Sequence, residues 1–348
     1  AVGRLATPGR GGHVPAMRAA ETAFLCRQAA AELFQVESPE QVVFTSNATH
    51  GLNLAIHSLL KPGDAVVISG YEHNAVTRPL HALGVNIRVA AGPLFDPEAQ
   101  VRAFERQLDE TVRAVICNHV SNVFGYVLPV EEVAALCRRR QVPLIVDASQ
   151  SAGCLPVHMG ELGAAFVAMP GHKGLYGPQG TGLLLCGAET HPLLMGGTGS
   201  ASDSEELPDW MPDRFESGTP NMPGVYGWEA ALGWLENTGI ETLENHEKTL
   251  SKRFLEGIYG LKNVKLYGIT VPERRTGVFS VGFLNCDNAE AAWRLEREFG
   301  ILTRCGLHCA PSAHKTLGSF PEGSVRFSTG WANTEADIDA ALSAIAAI

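Results

Sequence analysis

Lys173 lies in Pro170-Gly171-His172-Lys173-Gly174, just after an apolar run over 165–169. The chain has seven lysines, and most of the others fall in plainly polar surface sequence. Leu175-Tyr176-Gly177-Pro178 follows Lys173 rather than a charged helix. A lysine set at a strand end suits imine chemistry, because desolvation and nearby cations lower its pKa. Asp147 likewise closes an apolar run, Leu144-Ile145-Val146. An acid there is costly to desolvate without a partner, and a cationic ring nitrogen would be a suitable one; capping of the next turn is the plainer alternative. Ser46-Asn47-Ala48-Thr49-His50-Gly51 follows the run 42–44 and opens a helix. Free amides and the helix dipole there would hold a phosphate, although Asn and Thr also serve as ordinary caps. Tyr71-Glu72-His73-Asn74 and His119-Val120-Ser121-Asn122 end two further apolar runs. Each cluster alone has an ordinary structural explanation. The combination of lysine, acid and phosphate turn points to a site.

The elements that must position these groups alternate along the chain. Apolar runs at 42–44, 65–69, 85–90, 114–118, 144–146, 165–169 and 182–186 predict strands, and helical spacing covers 15–34, 48–60, 97–108 and 130–140. This pattern predicts an α/β fold with a mainly parallel seven-stranded sheet under helices. Ligands of open parallel sheets gather at the carboxyl ends of the strands, where the polar clusters fall. After about 192 the texture changes to a polar loop with Gly196-Gly197-Thr198-Gly199-Ser200, then a helix over 225–235. From about 240, helices mix with strands such as 278–283. The expected organisation is a large domain over 1–235 and a small α+β domain over 236–348.

The 348 residues suit two packed domains, and 45% hydrophobic with 18% charged residues is a globular composition. A net charge of -10 argues against a nucleic-acid partner. The basic run Arg138-Arg139-Arg140 reads as a solvated helix end. Eight scattered cysteines, several in apolar runs and none in a C-x-x-C pair, read as buried free thiols in a reduced compartment, with no metal site. No signal peptide or membrane-length apolar run stands out, so a cytoplasmic protein without a membrane partner is expected.

Asn47-Ala48-Thr49-His50, Glu72-His73-Asn74, His119-Val120-Ser121-Asn122, Asp147 with Gln150, and Gly171-His172-Lys173 occur in the order and rough spacing of class V pyridoxal 5'-phosphate (PLP) enzymes. Arg214-Phe215-Glu216-Ser217-Gly218-Thr219-Pro220-Asn221 and Arg304-Cys305-Gly306-Leu307-His308-Cys309-Ala310 extend the match over nearly the whole chain. The sequence resembles the cysteine desulfurases and selenocysteine lyases, nearer the SufS-type branch. The resemblance implies the PLP-dependent transferase fold type I. It implies that Lys173 carries PLP as a Schiff base and moves the Cα proton, that His73 stacks on the ring and assists proton transfer, and that Asp147 pairs with the ring nitrogen. Gln150 and Asn122 would contact the ring oxygen side or the substrate, and Ala48, Thr49 and His172 the phosphate. Thr219 would reach the phosphate of the neighbouring subunit's cofactor, in a homodimer with shared sites. Arg326 would bind the substrate carboxylate, for which a bidentate fork is well shaped, and Arg304 belongs with the substrate too.

Cysteine desulfuration would run through Cys309, which attacks the substrate sulfur, leaves a persulfide and releases alanine. A useful persulfide needs an acceptor protein or small thiol. The thiolate needs an activating neighbour, and His308 and Arg304 are candidates. Cys305 and Cys309 could instead pair as a disulfide, bind metal or be inert. Alternative reactions on the same site are selenocysteine lyase chemistry, other β-elimination and transamination, because fold and cofactor do not fix the reaction. A non-catalytic relative is the reading from a different class. Two departures stand out. Pro170 replaces the usual Ser or Thr phosphate ligand, and the stretch that ordinarily precedes the counterpart of Gly9-Arg10-Gly11-Gly12-His13 is expected to be shortened.

Overall fold

The computed structural model describes residues 6–9, 11–189 and 191–348, so Arg10 of the glycine-rich opening lies outside the described residues. Seven strands make the first sheet: β1 Val42–Thr45, β2 Ala65–Ser69, β3 Asn86–Ala90, β4 Val112–Asn118, β5 Leu144–Asp147, β6 Phe166–Pro170 and β7 Gly182–Cys186. Their order is β1-β7-β6-β5-β4-β2-β3. β3, β2, β4, β5 and β6 run parallel, and β7 is antiparallel to both of its neighbours, β6 and β1. The mainly parallel sheet is therefore as expected, with one reversed strand.

Seven helices accompany it: α1 Val14–Phe34, α2 Ala48–Leu59, α3 Asn74–Leu83, α4 Pro97–Gln107, α5 Val130–Arg140, the short α6 Met159–Leu162, and α7 Met222–Thr238. Strand side chains alternate between two cores. In β4, Val115 and Cys117 join the cluster with α1, α4, α5 and α7, while Ala114 and Ile116 join the cluster with α2 and α3. Burial on both faces is why the strands read as unbroken apolar runs. Local chemistry sets the helix ends. Asp96 caps α4 ahead of Pro97, and α5 places Glu131 and Glu132 in its first turn and three arginines in its last, complementing the dipole.

The second sheet is antiparallel, in the order β10-β11-β9-β8, from β8 Val264–Tyr267, β9 Val278–Phe283, β10 Arg304–Gly306 and β11 Ser324–Ser328. α8 Ile240–Ile258, α9 Asn288–Phe299 and α11 Glu335–Ala347 contribute to its core, while α10 Pro311–Leu317 follows the Cys309 turn. Val325 and Phe327 of β11 pack into that core beside Phe254 and Phe279, whose rings stack at 4.1 Å. On the alternate positions, Arg326 donates to Asn122 O beyond the end of β4, and Ser324 donates to Ser280 of β9, which in turn donates to Val123 O. No helix among the described residues is long and apolar enough to cross a membrane.

Candidate active site

β2, β4 and β5 end in Ser69, Asn118 and Asp147, and the segments that follow β1, β2, β4, β5 and β6 line a cavity of about 170 Å³. Its lining brings together Ala48, Thr49, His73, Asn122, Asp147, Gln150, His172 and Lys173, eight of the residues singled out in the sequence. Pro170 lines it as well, at the end of β6 opposite Gly182, and offers no hydroxyl.

α2 delivers its N-terminus to this cavity. Asn47 Oδ1 accepts the His50 amide at 2.9 Å, which leaves the Ala48 and Thr49 amides without an acceptor among the described residues. Unfilled first-turn amides at the positive end of a helix dipole are suited to an anion. Asp147 ends β5, is 5% exposed and accepts the Ser149 amide at 2.9 Å. Lys173 follows β6. It is open toward the cavity by surface area, yet protein surrounds it on enough sides that desolvation lowers its amine pKa. Asp147 opposes that shift, and Arg326 and Arg304 add to it. Gly153, with φ +84, makes room for the Lys173 loop: a Cβ there would stand 1.9 Å from Gly174 O.

His73 is the N-cap of α3. Its Nδ1 accepts the Ala75 amide at 3.0 Å, so the neutral ring carries its proton on Nε2. Burial lowers its pKa, Asp147 works the other way, and Lys173, Arg304 and Arg78 reinforce the decrease.

The second sheet supplies the remaining groups. Cys309 is exposed, and it and His308 both hold positive φ, 59° and 50°. Asn74 N donates to Cys309 O at 2.7 Å, Asn122 Nδ2 to His308 O at 2.8 Å, and Arg326 Nη1 to Asn122 O at 3.1 Å. These bonds pin the turn over the strand ends of the first sheet. Arg304 Nη2 donates to Cys309 Sγ at 3.4 Å, placing a fixed positive charge beside the sulfur. The His308 ring is 2% exposed and its Nε2 meets Ser324 Oγ at 3.1 Å. Burial, with Arg326, His314 and Arg304, lowers its pKa to about 3. Of the two candidate neighbours, Arg304 thus touches the thiol and His308 braces the turn from below. Cys305 and Cys309 are separate free thiols.

Thr219 is not in this cavity. It borders a different hollow with Thr45, Ser46, His50 and Thr181. Sequence reasoning missed Ser69 and Asn118, which close β2 and β4 and join Glu72 in a buried polar cluster; Asn118 also lines the cavity. A polar residue ending an apolar run was the available signal.

Comparison with known proteins agrees with the fold. The sequence model of the family described as aminotransferase class-V matches residues 3–341. A probable cysteine desulfurase from Methanothermobacter thermautotrophicus is 33% identical over 348 residues, spanning 96% of this chain and 85% of the relative. A cysteine desulfurase from Escherichia coli is 32% identical, spanning 86% of this chain and 76% of the relative. The apo structure of a cysteine desulfurase from Thermococcus onnurineus superposes with a TM-score of 0.91 at 30% identity, over 99% of this chain and 88% of that one. A family match over nearly the full length, with relatives similar along most of theirs, settles the assignment: this chain belongs to the class-V aminotransferase family.

Proposed function

We propose that this chain is a PLP-dependent cysteine desulfurase that moves sulfur from L-cysteine to Cys309 and releases L-alanine. The observation that carries the reading is the placement of Cys309, pinned over the Lys173 site by its own backbone and beside the Arg304 guanidinium. The cavity suits the cofactor. It offers an amine with a lowered pKa, a buried carboxylate and helix-end amides. Asn122 Oδ1 and Arg326 Nε are buried without a partner among the described residues, as groups awaiting a ligand would be.

When bound, PLP supplies an electron sink for charge developing at the substrate Cα. The side chains do the rest. Lys173 Nζ would hold the cofactor, and its free amine would carry the Cα proton. Asp147 would pair with the ring nitrogen, and His73, in the cavity wall, would offer its Nε2 proton for transfer. Ala48, Thr49 and His172 would hold the phosphate, while Gln150 and Asn122 would make polar contacts to ring or substrate. Arg326 receives the substrate carboxylate, with Arg304 between it and the thiol. Cys309 Sγ attacks the substrate sulfur. An S–S bond forms, the Cβ–S bond breaks with its electron pair left on the substrate carbon, and protonation there yields the alanine methyl.

A homodimer with shared sites is part of this reading. Thr219 lies outside its own Lys173 cavity, and the nearby Leu194 and Met195 are 54% and 74% exposed, which supports a partner subunit on that face. The persulfide on exposed Cys309 is then open to an acceptor protein or small thiol.

The test is an absorbance spectrum with PLP added, followed by L-cysteine and a thiol reductant with sulfide and alanine both quantified. The parent protein should release the two in equal amounts. Lys173→Ala should lose the visible band, and Cys309→Ser should keep it while sulfide falls to background. Undiminished sulfide from Cys309→Ser would overturn the desulfurase reading in favour of β-elimination.

A further inference from the structure

Beneath the Asp147 strand end lies a buried acid for which the proposed reaction has no use. Glu72 is fully buried, with Ser69 at 0% and Asn118 at 3% exposure around it. Ser69 Oγ lies 2.6 Å from Glu72 Oε1 and 3.0 Å from Asn118 Oδ1. Both neighbours accept hydrogen bonds, and one hydroxyl has one proton to give. Rotating the Asn118 amide offers no escape, because its Nδ2 is committed to Tyr71 O at 3.1 Å and Val120 O at 3.4 Å. The Tyr71 amide already donates to Ser69 Oγ at 3.1 Å, and the Asn118 amide to Glu72 Oε1 at 3.0 Å. With Glu72 ionised, Asn118 Oδ1 would face Ser69 without a proton between them. Glu72 Oε2, which has no partner among the described residues, would be a desolvated charge.

We propose that Glu72 is held as a neutral carboxylic acid and acts as a positioning residue, donating its proton to Ser69, which in turn donates to Asn118. Every contact then has a donor and an acceptor. The chain ties the end of β2 to the end of β4, and Asn118 stands in register with Asp147 on β5. A neutral Glu72 holds that corner without adding a second negative charge beside Asp147. The titratable groups facing it are Asp147 and the buried thiol of Cys117. Burial raises the Glu72 carboxyl to about 8, with Asp147 adding to the rise against the Ser69 and Asn118 hydrogen bonds. The assignment concerns the protein without cofactor and stands apart from the reaction proposed above.

It is tested on the cofactor-free protein by infrared spectroscopy with glutamate carboxyls labelled with ¹³C. A protonated-carboxyl band should be present at neutral pH, vanish with a midpoint near pH 8, and be missing from Glu72→Gln. Glu247, half-buried and also raised by desolvation, to about 7, is the other glutamate to separate, so the labelled Glu247→Gln protein is measured alongside and should keep the Glu72 band. That variant preserves the test if Glu72→Gln does not fold. Thermal melts give the second readout. The folded chain keeps a proton that the unfolded chain releases near 4.5, so stability should fall as pH rises from about 4.5 to about 8. Glu72→Gln, which has no titratable proton, should remove that part of the slope. The proposal fails if Glu247→Gln shows no protonated-carboxyl band at neutral pH, or if Glu72→Gln leaves the pH slope of the melts unchanged.

Discussion

A backbone amide donating to His73 Nδ1 decides how that imidazole can act: the proton it presents is on Nε2. His73→Ala should lower kcat by about 10²–10⁴-fold, the range for a positioned proton-transfer group, and cost about 1 kcal/mol of stability through the lost cap. His73→Asn should restore the cap without the activity, and melts beside steady-state rates separate the two effects. Arg326→Lys should cost about 1.5–3 kcal/mol of charge-assisted bonding, read as a drop of about 10- to 100-fold in kcat/KM for L-cysteine. Arg304→Met should slow alkylation of Cys309 by iodoacetamide, while His308→Gln should alter it through the shape of the turn. At this scale the sequence was informative because the cavity-lining residues follow strand ends, where polar side chains interrupt apolar runs. The division of labour between Arg304 and His308 was not legible, since it depends on which way each side chain leaves its backbone.

The period-2 alternation of β11 turns Val325 and Phe327 into one core and puts Ser324 and Arg326 on the opposite face, from which Arg326 reaches Asn122 O. A one-residue slip in its pairing with β9 would exchange the two sets, so register here is a condition of function. Gly153→Ala should destabilise the fold by at least about 1–3 kcal/mol, since a side chain at positive φ adds strain to a backbone clash. It should also weaken PLP binding, measured by titrating the cofactor into protein that still melts cooperatively. While edge strand β3 is half-exposed, the central strands of the first sheet were readable because both of their faces are buried. The reversal of β7 was not, because Gly182-Leu183-Leu184-Leu185-Cys186 is equally apolar in either direction. α3 escaped notice, with Pro79 inside it and a histidine as its cap. β8 and β10, at the edges of their sheet, are short and half-exposed, with weak alternation.

Across the whole molecule, three buried histidines are kept neutral by desolvation: His119 to about 4, His308 to about 3 and His314 to about 4. Each lies below its usual value of 6.5. Between those limits the unfolded chain takes up protons that the folded chain refuses, so stability should fall as pH drops from about 6.5 toward about 3 and level off below. Melting temperatures across that range should show the decline, and His119→Gln should make it shallower. The relation between the two sheets was the least legible feature, because Asn122–His308 and Arg326–Asn122 join residues far apart in sequence. One consequence of the Cys309 turn concerns ageing. Of eight cysteines only Cys309 is exposed, so peroxide should reach that sulfur first. Its sulfenic acid is recoverable by thiols, and the sulfinic acid beyond it is not, outside specialised repair. A stored sample would thus lose turnover in step with one oxidised atom while its melting curve stayed where it was.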